Sequence, residues 1–132
     1  MRQKPSLTAA DYKKMMAACL AEAEKNNWKV SIAIVDEGGY VLNIERMDGA
    51  PLVSPEVATG KAKTAALTRN PSKVFEDRVK ERPAFIMFPA GLAIQGAVPA
   101  LHDGQVVGAI GVSGVQSHED EQIAKAGIAA IG

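Results

Sequence analysis

The 132-residue chain has a single cysteine, Cys19, one tryptophan and two histidines. One cysteine excludes an internal disulfide and any zinc or iron–sulfur centre built from several cysteines of one chain. Charge of either sign is not in excess: Lys+Arg and Asp+Glu stand at 15 each, and no basic stripe is visible. Nucleic-acid binding, which rests on neutralising phosphates, is therefore not expected. Long apolar runs are missing too, because Pro and Gly break every weakly charged stretch, so no membrane span is expected. The opening MRQKPSLTAADY lacks the apolar core of a secretory leader, and a cytoplasmic location is expected. Apolar residues still reach 47%, enough for a core, and the length suits one domain, 1–132.

What is present has clear periodicity. Thr8 is placed to cap a helix, with Asp11 at the third helical position and Leu7 set to staple onto Tyr12. Tyr12, Met15, Met16, Cys19, Leu20 and Ala23 recur at three- and four-residue steps, and Asn26-Asn27 ends the pattern. Trp28 to Asp36 and Tyr40 to Arg46 flank an Asp36-Glu37-Gly38-Gly39 turn, which predicts a hairpin. Ser54-Pro55-Glu56 reads as N-cap, first-position proline and first-turn acid of a second helix. Ala58, Gly60, Ala62, Ala65 and Ala66 in its body leave room for another backbone, and Asn70-Pro71 stops it. A short charged helix is expected from Ser72 to Arg82.

From Pro83 to Ser117 the only Asp, Glu, Lys or Arg is Asp103. That stretch holds the Phe85-Ile86-Met87-Phe88 run and two strands, Ala97 to His102 and Gln105 to Ser113, joined at Asp103-Gly104. Ser117 is expected to cap a last helix with Asp120 at its third position. Adjacent strands joined by tight turns, covered by segregated helices, give the α+β class.

Three strings carry a resemblance: RMDGAP (46–51), GKAKTAA (60–66) and GAIGVSG (108–114), set within Val30–Ala66 and Gly91–Gly127. In this order they resemble the GlcG/HbpS family, also found as the C-terminal domain of PduO-type proteins. The resemblance implies a profilin-like fold, with a five-stranded antiparallel sheet flanked by helices and assembled into a homo-oligomer of two or more copies. It also implies a small-molecule ligand, with haem or another tetrapyrrole as the cofactor. Relatives often carry Gly-Gly-Thr after the last strand, where this chain departs with Gly114-Val115-Gln116.

The candidate site residues follow from chemistry. Arg46, Asp48 and Lys61 offer two cations and an orienting acid to a carboxylate, haem propionates included. An Arg46–Asp48 ion pair that stiffens the loop is the plain alternative. Ser113 and Gly114 lead into the N-terminus of the last helix, whose free N–H groups suit an anion, although Glu119, Asp120 and Glu121 oppose one. Phe88, with Phe85, is a candidate flat wall of a pocket, with packing on the core or on a neighbouring subunit as the plainer reading of the run. For haem iron the candidate ligands are Cys19, His102 and His118; Cys19 also reads as a small core hydrophobe, and the histidines as surface residues. Two other readings stand beside ligand binding. One is an enzyme on a small organic acid, binding carboxylate through Arg46 and Lys61 with Asp36 or Asp48 as base. The other is a structural or accessory oligomeric domain.

Overall fold

The computed structural model describes residues 1–132. Helix α1 (Ala9–Lys25) opens with the expected capping box, Thr8 and Asp11 exchanging backbone and side-chain hydrogen bonds. Strands β1 (Ser31–Asp36) and β2 (Val41–Arg46) form the hairpin, and Asp36 brackets its turn by accepting from the Gly38 and Tyr40 N–H groups. Helix α2 (Ser54–Thr68) and helix α3 (Ser72–Glu81) follow, then β3 (Ala97–His102), β4 (Gln105–Ser113) and helix α4 (Ser117–Ala129). No helix is long and apolar enough to cross a membrane.

The sheet is antiparallel with order β2-β1-β4-β3. It has four strands, not five. The Phe85–Phe88 run supplies no further strand, since Pro83–Met87 winds into a 3-10 turn between two prolines that cannot donate to a ladder. Two caps also differ from expectation. Ser54 is the first residue of α2, and its hydroxyl bonds to the Ser31 hydroxyl and the Pro51 carbonyl instead of an N-terminal N–H. At α4 the cap is Gln116, paired in a capping box with Glu119, while Ser117 lies inside the helix.

Strand alternation sends Ile32, Ile34, Ile110 and Val112 to one face, where α1 and α4 cover them with Met15, Met16, Cys19 and Ile123. Ala33, Val35 and Ala109 point to the other face, against Ala58, Ala62, Ala65 and Ala66 of α2. Between Pro83 and Gln95 the chain forms a strap. Leu92 N–H donates to Gly60 O at 3.1 Å, and Thr64 Oγ1 donates to Leu92 O at 2.8 Å, laying the strap across α2.

Candidate functional site

The sheet register sets the first group of candidates in a row. Ser31 of β1 lies opposite Arg46 of β2 on one side and Ser113 of β4 on the other. Arg46 and Asp48 are exposed and line a cleft of 370 Å³ with Leu20, Glu24, Lys29, Glu45 and Met47. Two cations face three carboxylates there, so the cleft does not favour a carboxylate ligand on charge alone. Arg46 and Asp48 form no ion pair with each other. Ser113 is buried, and Gly114 adopts φ +148 where a Cβ would meet the Lys29 carbonyl at 2.5 Å. Their role here is close packing of the β4–α4 loop against the start of β1.

Lys61 is not part of that cleft. It is 2% exposed, and its Nζ lies 3.0 Å from Asp120 Oδ2 and donates to the Val112 carbonyl at 3.1 Å. Asp120 is 1% exposed, and its other oxygen accepts from the Val115 N–H at 3.2 Å. Burial pushes the Asp120 carboxyl above its ordinary range, and the Lys61 ammonium and Val115 N–H only partly offset it. Thus the expected Arg46–Lys61 carboxylate clamp does not form: Lys61 is committed to an internal partner on α4. Sequence reasoning missed this pair. The signal was available on each helix alone, because Lys61 sits on the Ala58–Ala62–Ala65 stripe and Asp120 one turn before Ile123 and Ala124.

Phe88 belongs to a second place, at the strap. Its ring centroid lies 5.7 Å from that of Phe75 and 6.2 Å from that of Phe85, in tilted arrangements that favour aromatic edges meeting faces. Arg82 stacks over Phe85 at 5.3 Å, a cation–π contact. Arg82, Ala84, Phe85, Met87, Phe88 and Pro89 line an open groove of 350 Å³. Met87 is 83% exposed and Phe88 52% exposed. Large apolar side chains left this open in a cluster make the groove a candidate interaction surface.

The three candidate iron ligands are not brought together. Cys19 lies in the core beneath α4; its thiol donates to the Ile123 carbonyl, and burial pushes its pKa up to about 12. His102 is exposed at the β3–β4 turn, 3.4 Å from Asp103. His118 is exposed in the first turn of α4. The nine residues of β4 separate the two histidines, a span of roughly 26 Å at strand rise. No three His, Cys, Asp or Glu side chains converge as a metal site.

Fold and clefts together define an α+β protein, with a four-stranded antiparallel sheet between unequal helical layers and open, shallow surface grooves. The chain belongs to the HbpS-like family, described as haem degrading protein HbpS-like, which matches residues 7–129. It is 41% identical to the protein GlcG of Escherichia coli K12 over 114 residues, 86% of this chain and 85% of GlcG. The crystal structure of a double mutant of Streptomyces reticuli HbpS superposes with TM-score 0.94 at 35% identity, covering 100% of this chain and 91% of the other. A crystal structure described as a PduOC:heme complex gives TM-score 0.88 at 28% identity, covering 97% and 96%.

Proposed function

We propose that the protein binds a small, flat, apolar anion on the Phe85–Phe88 groove, and that haem or a related tetrapyrrole is that ligand. The observation that carries the reading is the cluster of exposed Met87 and Phe88 beside half-buried Phe85, with Arg82 at its rim. Aromatic faces suit a porphyrin plane, and a guanidinium suits a propionate. The haem complex of the PduOC relative and the family's description support the choice of ligand. Within this groove the side chain that would be available to haem iron is the Met87 thioether, since neither histidine lines it. Bound haem would supply a redox-active iron; the chain itself supplies the apolar wall and the cation. The reading includes a cytoplasmic location and association of at least two copies; exposed Leu92 and Ile94 of the strap support the association.

Titration with haem, followed by Soret absorption and by light scattering of the same samples, tests this. Binding should saturate at a fixed ratio per subunit or per dimer. Phe88→Ala and Arg82→Gln should each weaken it about tenfold, the scale of one lost stacking or charge-assisted contact. Met87→Leu should change the iron spectrum with little change in affinity. Binding that never saturates, or that ignores all three substitutions, overturns the reading.

A further inference from the structure

The buried Lys61–Asp120 pair is the group the groove reading leaves without a role, and its position in the hydrogen-bond ladder supplies one. In an antiparallel sheet the N–H and C=O of one residue point to the same neighbouring strand. The Val112 N–H donates to the Gly96 carbonyl at 3.0 Å, so its carbonyl also faces β3. The Gly96 N–H, opposite in the register, does not return that bond to Val112 O, and the next amide outward, the Gln95 N–H, turns away to Glu76 Oε1 at 3.1 Å. The Lys61 ammonium takes the vacant position on Val112 O, and Asp120 neutralises it. Gly96, at φ +139, makes room: a Cβ there would lie 2.7 Å from Lys61 Nζ. The ladder therefore ends where Lys61 ends it, and the chain leaves the sheet at that point as the strap.

We propose that Lys61 and Asp120 are positioning residues for the groove, fixing the exit of the Pro83–Gln95 strap that carries Phe85, Met87 and Phe88. This rests on the reading of that groove as the ligand site. A bare structural ion pair predicts only lost stability when it is broken. A positioning pair predicts that the strap loosens even where the fold survives.

The two are separated with the double variant Lys61→Met/Asp120→Asn. It removes both buried charges, a change that is often tolerated when an apolar side chain fills the space, whereas Lys61→Met alone strands a buried carboxylate. The amide that replaces the Asp120 carboxylate is uncharged, and its oxygen still accepts from the Val115 N–H. Amide hydrogen exchange at Leu92 and Gln95, both bonded in the folded strap, is the main readout. Exchange there should rise at least tenfold, with exchange in α1 and β1 unchanged, and haem affinity should fall at least tenfold. Wild-type exchange at both amides in the folded double variant overturns the proposal. The exchange arm reads out whether or not the wild-type protein binds haem, so a failure of the ligand reading shows itself separately in the titration. If the double variant does not fold, Lys61→Arg replaces it: the longer guanidinium keeps the charge but displaces the cap on Val112, and must accelerate the same two amides.

Discussion

The two faces of the sheet are built on opposite principles. Against α1 and α4 the interface is made of Met15, Met16, Ile32, Ile34, Ile110 and Ile123, fully or almost fully buried. Against α2 the buried cluster has 8 residues, of which only Val35 is larger than alanine. The first face gains its stability from large areas of apolar surface removed from water. The second gains little per residue and depends on how closely two backbones approach, so that many weak dispersion contacts form. Gly111 marks that approach: a Cβ there would collide with the Ala58 carbonyl and would sit 2.6 Å from the Ala62 N. One face is intolerant of removal, the other of addition.

A paired substitution breaks the comparison most forcefully. Gly111→Ala adds a methyl group where the obstructing atoms are helix backbone and cannot rotate away. It should cost more than about 3 kcal/mol, the upper end of ordinary overpacking. Ile123→Ala removes most of a fully buried side chain on the other face and should cost about 2–5 kcal/mol. Ala62→Gly, on the alanine face, should cost only about 1 kcal/mol, the helix-propensity difference. Chemical denaturation of the three variants checks the order. An Ala62→Gly loss as large as that of Ile123→Ala would remove the distinction between the faces.

A glycine on the bulky face sharpens the point. A Cβ on Gly127 of α4 would meet the Cys19 sulfur and the Ile110 Cδ1, both of them side-chain atoms. Rotamer changes can move those two side-chain ends aside, leaving the Met15 carbonyl at 3.1 Å to give by a few tenths of an ångström, and replacing a helical glycine by alanine returns about 1 kcal/mol of propensity. Gly127→Ala should therefore cost at least about 2 kcal/mol less than Gly111→Ala, and Cys19→Ala should recover part of what it does cost. Equal losses at the two glycines would show that backbone and side-chain obstruction weigh the same here.

The same contrast explains what was legible in the sequence. The bulky face announces itself through the Met15, Met16, Cys19, Leu20 stripe and the alternation of Ile32 and Ile34, so α1, the hairpin and the β3–β4 pair are readable within a few residues. The alanine face was readable as a close approach, though not its partner strand. Helix caps were less so: Ser54 and Ser117 have the right chemistry one residue too late, so the Ser54 hydroxyl bonds Ser31 and Pro51 without capping α2, and Gln116 caps α4. At the site, Arg46 with Asp48 and Phe88 were legible as side chains but not as two separate places, because their distance is set by where the strap leaves the sheet. Lys61 read as a cation for a ligand's carboxylate; only the fold supplies the internal carboxylate that makes its burial tolerable. The fifth strand was an implication of the resemblance alone, and in this chain residues 83–96, ahead of β3, form a 3-10 turn and an irregular strap with no further strand.

The smallest expected effect lies at the edge of the alanine face, where charge adds to the packing of Phe75 on Phe85 and Phe88 in tying α3 to the strap. Partial burial works against the Glu76 carboxylate, but Lys73 at 2.9 Å, the Gln95 N–H at 3.1 Å and Lys80 at 3.6 Å outweigh it. Its pKa is therefore held below the ordinary 4.5. A carboxylate depressed in the folded state contributes stability above its unfolded pKa, and loses it as the pH falls through the folded value. Glu76→Gln should lower the stability by about 1 kcal/mol or less at pH 7, the scale of a partly exposed ion pair. The gap between variant and wild type should close as the pH is taken well below 4.5. Thermal melts at pH 7 and in steps below pH 5 measure it. Salt should shrink the gap at pH 7, and it should leave the Ile123→Ala deficit untouched, because screening weakens charge pairs and not buried apolar contacts. A Glu76→Gln deficit that stays constant from pH 7 down into the acid range would mean that the side chain holds the strap by shape alone.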